Sequence, residues 1–209
     1  MPSYKEGYEQ SLEIFTTYII DIVGYYNDNL IDFILCGCGS HILDILKVPG
    51  ASGVINGVTV PYSTERFNGL CLNKIEKFVS KEACDALVDG LNITTCFNNK
   101  VFCVTGSLTT NRYRKGLNQV IFGDYDFHQN NSKRCLYTKR LTLNKLSENE
   151  YNNLSSDDIF YRRNLEDLLI SSTIMYNSFN VPYNIQIHSD DIDDICLRHN
   201  VYIEESDYI

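Results

Sequence analysis

The chain has 209 residues, 44% of them hydrophobic, with a formal charge of −9 and no Trp. That length and apolar content suit one sizeable globular core and leave little room for two full domains. The acidic balance disfavours a sequence-independent grip on a phosphate backbone, and no run approaches the roughly 20 apolar residues that cross a bilayer, so neither a nucleic-acid nor a membrane partner is expected.

The opening MPSYKEGYEQ has neither a basic start nor an apolar run, which points to a cytoplasmic protein. Acid is unevenly spread: residues 181–209 hold seven acids against one Arg, a net of −6 that leaves −3 for the first 180 residues. The reading is therefore a globular domain over 1–180 followed by an acidic C-terminal extension over 181–209. Eight cysteines, at 36, 38, 71, 84, 96, 103, 135 and 196, mostly sit inside apolar segments. They read as reduced core thiols, not as a disulfide framework.

In chain order, Leu12, Phe15, Tyr18, Ile19, Ile22, Val23 and Tyr26 recur at spacings of three and four, so residues 9–27 are predicted helical, with Asn27-Asp-Asn29 as the stop. The apolar run Leu30 to Cys36 is a strand, the turn Gly37-Cys-Gly39-Ser40 follows, and Ile42, Leu43, Ile45 and Leu46 give a short helix. Val48-Pro49-Gly50 must end that helix, because Pro lacks a donor and the residue before it avoids helical geometry. Gly53 to Tyr62 reads as a buried strand, Ser63 as the cap of a short helical turn, and Ser80 as the start of a longer helix with Ala83, Ala86, Leu87 and Leu91.

Lys100 to Thr105 is a second buried strand. Gln119 to Phe122 and Cys135 to Leu143 form a hairpin around the polar loop Asp126 to Lys133. Leu165, Leu168, Leu169, Ile174 and Met175 mark a helix that starts near Asp157 or Asp158. The extension offers a strand from Tyr183 to His188 and a helix from Ser189 to His199. Alternating strands and helices predict an α/β fold, a three-layer α/β/α sandwich with a mixed, mainly buried sheet.

Chemistry should gather where glycine turns let backbone amides face a ligand at strand ends. Gly37, Gly39 and Ser40 fit an anion, although Gly39 and Ser40 also fit a plain helix cap. The segment Thr105-Gly106-Ser107, followed by Arg112, Arg114 and Lys115, brings hydroxyls and cations to a second strand end. It suits a phosphorylated small molecule or, more simply, a solvated loop. Asp190, Asp191, Asp193 and Asp194 read as the first turn of a helix complementing its dipole, and no metal is assigned to them. Cys36-x-Cys38 matches no redox or zinc spacing.

Several motifs in order resemble the C-terminal domain of the CinA (competence/damage-inducible) family. They are the glycine turn at 37–40, Val48-Pro49-Gly50, Tyr62-Ser63, Val79-Ser80-Lys81-Glu82 with Ala86 and Gly90 behind, and Val104-Thr105-Gly106. The resemblance spans about residues 8–178. It implies a pocket for a phosphorylated nucleotide such as nicotinamide mononucleotide, nicotinamide-nucleotide amidase activity, no cofactor, and self-association as a homodimer. It adds Tyr62, Ser63 and Arg66 to the expected ligand-binding set of Gly37, Gly39, Ser40, Thr105, Gly106, Ser107, Arg112 and Arg114.

The departures from that pattern bear on catalysis. The family's nucleophile position falls on Gly37 and its supporting Lys on Phe67, which cannot accept a proton, while the neighbouring Arg66 stays protonated. Catalysis would then need a relocated nucleophile: Ser40, assisted by His41 or Cys38, or Cys38 itself at a helix N-terminus. Three readings follow. One is a nucleotide-binding domain whose amidase chemistry is altered or lost; another is an amidohydrolase using Ser40 or Cys38. The third is an interaction protein whose acidic tail, with Tyr202 and Tyr208, docks a protein partner.

Overall fold

The computed structural model describes residues 3–26, 30–71, 73–91, 100–127 and 133–207. Helix α1 (Tyr4–Tyr25) buries Tyr4, Gly7, Ser11, Phe15, Tyr18, Ile19, Ile22 and Val23, one stripe at spacings of three and four. It begins five residues earlier than the apolar pattern alone predicts; the expected stop at 27–29 and Cys96 lie outside the described residues. Strand β1 (Ile31–Cys36) runs into a 3-10 helix, Ser40–Lys47, capped by Gly39 and ended at Val48, where Val48-Pro49-Gly50 turns the chain as expected. Strand β2 (Ile55–Thr59), helices α2 (Thr64–Leu70) and α3 (Lys81–Leu91), and strand β3 (Lys100–Gly106) follow. Ser63 caps α2, its Oγ accepting from the Arg66 amide at 3.1 Å.

Strands β4 (Asn118–Phe127) and β5 (Lys133–Leu143) pair antiparallel, as their alternation predicts; the residues between 127 and 133 are not described. Helix α4 (Glu148–Asn152) and helix α5 (Ser156–Ser178) are each opened by a capping box, Ser147 with Glu150 and Ser155 with Asp158. Helix α6 (Tyr183–Arg198) and strand β6 (Ile203–Asp207) complete the described chain.

The six strands form one mixed sheet in the order β2-β1-β3-β4-β5-β6, with β1 parallel to both β2 and β3 and the other neighbours antiparallel. Period-two alternation sends Phe33, Leu35, Phe102, Val104, Val120 and Phe122 into one apolar cluster with α1, α5 and α6. Ile34, Val101, Cys103, Ile121 and Tyr125 point to the other face, under Ala83, Cys84, Leu87 and Val88 of α3. A sheet covered on both faces is what near-continuous apolar strands require, and it makes the α/β/α sandwich that the alternating elements imply.

An expectation is corrected in the C-terminal segment. Tyr183 to His188 is the first part of α6 and not a strand, because Ile185, Ser189, Ile192 and Cys196 fall on one buried helical face. The acidic segment beyond 180 packs on the rest of the chain. Ile185, Ile192, Cys196 and Val201 belong to the same core as α1, and β6 hydrogen-bonds along β5. The acids Asp190, Asp191, Asp193 and Asp194 face outward from α6. Tyr202 is exposed and Tyr208 lies outside the described residues. Among the described residues no helix is long and apolar enough to cross a membrane.

Ile192→Ala is expected to lower the unfolding free energy by about 2–4 kcal/mol in urea melts, as for other fully buried aliphatic side chains. A change within about 0.5 kcal/mol, the scale of a surface substitution, would detach α6 from the core.

A second expectation concerns Asp124, which is 2% exposed on β4 and paired with Lys100 at 3.1 Å. Burial pushes its carboxyl up to about 6 against the opposing pull of Lys100. A raised carboxyl favours the fold while protonated, so its unfavourable contribution develops as pH rises from about 4 through about 6. Asp124→Asn should therefore stabilise the protein at pH 8 by roughly 1–3 kcal/mol and leave it nearly unchanged at pH 4, read from melts at the two pH values.

Candidate functional site

The C-terminal ends of β1, β2 and β3 lie side by side, with β2 on one flank of β1 and β3 on the other. This is a topological switch point, the place where open α/β sheets receive ligands. Gly37 follows β1 with a left-handed φ of 83°, and a Cβ there would stand 2.4 Å from the Gly106 carbonyl oxygen at the end of β3. A Cβ on Gly106 would in turn meet Cys38 Sγ at 2.2 Å. The two strand-end loops can touch only because both positions lack a side chain.

The amides beyond Gly37 are already engaged. Asp167, 5% exposed on α5, accepts the Gly39 amide at 2.6 Å on one oxygen, and the Ser40 amide and hydroxyl at 2.9 and 2.6 Å on the other. The sequence reading places a ligand anion on this turn; the structure places the protein's own carboxylate there. A negative side chain at the start of the helical turn satisfies the amides that a phosphate would otherwise take.

Glu166, the preceding residue, performs the matching task for the loop after β3. It accepts the Thr109 amide at 2.7 Å and the Thr109 hydroxyl at 2.5 Å, and pairs with Arg162 Nε at 3.1 Å. Burial raises its carboxyl from the usual range, while Arg162 and the Thr109 bonds pull it back. Arg162, 1% exposed, spends its remaining donors on the Tyr4 hydroxyl and the carbonyls of Asn200 and Asn144.

Two connected cavities open over these loops. One of about 240 Å³ is lined by Gly37, Cys38, Ser40, Tyr62, Arg163 and Asp167 among others. The other, about 480 Å³, reaches Ser63, Phe67, Phe78, Gly106, Ser107 and Arg114. Both share Gly37, Tyr62, Leu108 and Arg163, so they form two halves of one cleft. Tyr62 is 84% exposed on its rim, and Phe67, at the position the resemblance assigns to a Lys, packs edge-on against Phe78 at 4.9 Å. Neither Arg114 nor Arg163 forms an ion pair among the described residues.

The cleft thus gathers Gly37, Ser40, Tyr62, Ser63, Gly106, Ser107 and Arg114 from the expected set. Others fall elsewhere. Gly39 is buried, with its amide on Asp167. Thr105 is fully buried, its hydroxyl 3.7 Å from Cys84 Sγ on the α3 side of the sheet, because strand alternation turns it away from the cleft. Arg66 is exposed on α2 and lines neither half of the cleft. Arg112 lines a smaller neighbouring cavity.

The relocated nucleophiles separate as well. Cys38 is 5% exposed, and burial pushes its thiol well above the ordinary value, with Asp167 adding to the shift. It is not an activated thiolate, since the turn's amides serve Asp167 and not the sulfur. Cys36 is held up to about 11 by burial. His41 turns away from Ser40, with Nδ1 3.1 Å from Asp44 and its ring 5.7 Å from Tyr8, in a groove against α1. Adjacent residues on a helical turn point in different directions, so Ser40 and His41 form no couple. Ser40 keeps one carboxylate contact and no His, Lys or Cys partner among the described residues.

Asp167, Glu166 and Arg163 are site residues that the sequence reading missed. The available signal was a pair of acids beside Leu165, Leu168 and Leu169, where a buried helical face should be apolar. Among the described residues, no group of three or more His, Cys, Asp or Glu side chains is arranged to hold a metal.

Fold and cleft together define a layered α/β domain with a cleft at the switch point of its sheet. No protein-family model and no curated protein matches the chain. It is similar to solved structures of competence/damage-inducible proteins. With CihA from Agrobacterium tumefaciens it shares 14% identity over 80% of this chain and 95% of that one, at a TM-score of 0.42. With protein A (ComA) from Klebsiella pneumoniae subsp. pneumoniae MGH 78578 the figures are 13%, 79%, 98% and 0.43. For a CinA superfamily protein from Enterobacter cloacae they are 13%, 79%, 90% and 0.39.

Asp167→Ala should cost about 2–4 kcal/mol, because it strands buried amides that the carboxylate now satisfies. Added sulfate should then recover more stability in the variant than in the natural chain, measured by thermal melts. Equal sulfate effects in the two proteins would show that the turn does not select an anion.

Proposed function

We infer that this chain is a CinA-type domain that binds a small phosphorylated nucleotide, of the nicotinamide mononucleotide kind, and has lost the amidase chemistry of that family. The observation that carries the reading is the pair of guanidinium groups, Arg114 and Arg163, that line the cleft without a carboxylate partner among the described residues. Arg presents planar paired donors to a phosphoryl group, and cations left unpaired on a concave surface of an acidic chain favour an anionic ligand. Exposed Tyr62, with Phe78 across the cleft, offers flat apolar surface for a heteroaromatic ring.

Lost chemistry is supported by the residues at the family's catalytic positions, neither of which can serve as nucleophile or base. Gly37 stands where a serine would be needed and Phe67 where a lysine would be, and Cys38 is buried and protonated. One contact favours a second reading: Ser40 Oγ donates to Asp167 at 2.6 Å, on the cleft wall. A carboxylate so placed would accept the hydroxyl proton in an amidohydrolase mechanism. Asp167 already accepts two backbone amides, which ranks this reading below simple binding.

Titration with nicotinamide mononucleotide should raise the melting temperature saturably, by about 5–10 °C at a hundredfold excess over Kd. Mass spectrometry of the same mixtures should find no nicotinic acid mononucleotide. Absence of any shift removes the binding reading. Product that disappears in Ser40→Ala would establish the amidohydrolase instead.

A further inference from the structure

The outward face of α6 carries charges and apolar groups that the fold does not use. The helix starts at Tyr183 and its first turn holds no acid, so Asp190, Asp191, Asp193 and Asp194 do not complement its dipole as the sequence reading expects. They lie in its middle instead. None of the four forms an ion pair among the described residues, and neither does Arg198, the single Lys or Arg of residues 181–209. Partial burial and the flanking carboxylates of Asp190 and Asp194 push Asp193 up to about 6. Tyr18 is fully buried with its ring centre 6.2 Å from that of His188 on α6, and its hydroxyl has no hydrogen-bond partner among the described residues. Burial keeps its proton on, and Tyr176, Tyr26, Asp190 and Asp193 reinforce this.

Acids that only kept the protein soluble would need no apolar company. This face is not of that kind. Tyr183, Ile187 and Leu197, exposed at 79%, 47% and 60%, fall in line with Asp190 and Asp194 at spacings of four and three, on the side of α6 opposite Ile185, Ser189, Ile192 and Cys196. Large apolar side chains in a row work against solubility, and such rows belong to contact surfaces.

Charge selects the occupant. A two-fold contact between copies brings the same residues together, which here would set acid against acid. Anionic bilayers and nucleic acids are repelled for the same reason. We propose that the outer face of α6 docks a basic amphipathic helix of a protein partner, whose apolar residues cover Tyr183, Ile187 and Leu197 while its Arg or Lys side chains pair with Asp190 and Asp194. Spacing of four and three is the pattern that a second helix meets along its length. From Tyr183 to Leu197 the stripe runs about 21 Å at 1.5 Å per residue, so a partner segment of about 15 residues covers it. This face shares no residue with the cleft, and it stands or falls apart from the nucleotide reading.

Anisotropy titrations of the full chain with two labelled synthetic peptides of one composition test the docking face. In one peptide Leu and Arg share a single helical face; in the other the same residues are scrambled. The ordered peptide should bind about tenfold tighter or more. Asp190→Asn with Asp194→Asn should weaken it roughly three- to tenfold, the scale of two exposed ion pairs, and Ile187→Ser with Leu197→Ser by about tenfold or more. Melting temperatures no lower than that of the natural chain show both variants folded. Equal binding of the two peptides reduces the effect to plain charge attraction and overturns the docking face, as does no binding at all or binding that survives both double substitutions. A natural chain that sediments as a dimer, and becomes a monomer in Ile187→Ser with Leu197→Ser, assigns the face to a second copy and overturns the basic partner.

Discussion

Glu166 and Asp167 are neighbours on one helix, yet each holds a different strand-end loop, and the shape of the cleft depends on this division. Asp167 fixes the turn after β1 through the amides of Gly39 and Ser40, while Glu166 fixes the loop after β3 through Thr109. The Arg162–Glu166 pair is fully buried, so its Coulombic gain is largely offset by desolvation, and its contribution is positional. Arg162 extends that positioning to the Tyr4 hydroxyl near the start of α1 and to backbone carbonyls at Asn144 and Asn200. Helix α5 thereby sets the distance between the two loops that bound the cleft.

The same helix explains why cations without a carboxylate partner line the cleft. An acidic chain would ordinarily neutralise its arginines locally, and Arg162 is neutralised in this way. Arg163, one residue on, rotates out of that network and onto the cleft wall. Arg114 reaches the cleft from the opposite loop. Buried charge is thus consumed in holding the frame, and exposed charge is left on the cleft wall, a separation that one turn of helix accomplishes.

Much of the frame was legible in the sequence. Long apolar runs such as Leu30–Cys36 and Lys100–Thr105 fix strands because a sheet covered on both faces needs no alternation. Val48-Pro49-Gly50 fixed a turn through the geometry of Pro. The segment Tyr183-Asn-Ile-Gln-Ile-His misled, since it alternates with period two, and only its continuation to Ile192 and Cys196 reveals the helical face. The glycine turn, expected to face a ligand anion, instead holds the carboxyl group of Asp167, 127 residues along the chain from Ser40. No local pattern announces a partner at that distance. Thr105 lies off the cleft for a related reason: which face of a strand meets the cleft is decided by what packs across it.

The joining of α1 to α6 carries a kinetic consequence. His188 Nε2 lies 2.9 Å from Asp21 Oδ2 across 167 residues of chain, and Tyr4 meets Arg162 across 158. Contacts of this span must await closure of very long loops, whereas the β4–β5 hairpin can form locally. The fold therefore belongs among slow folders of high contact order. Its first helix packs against both α5 and α6, so Phe15, Tyr18 and Ile22 are fully covered only when both late elements of the chain have docked. Before that, the apolar stripe of α1 offers its surface to a second copy as readily as to its own chain, so the long reach of these contacts is also an exposure to self-association.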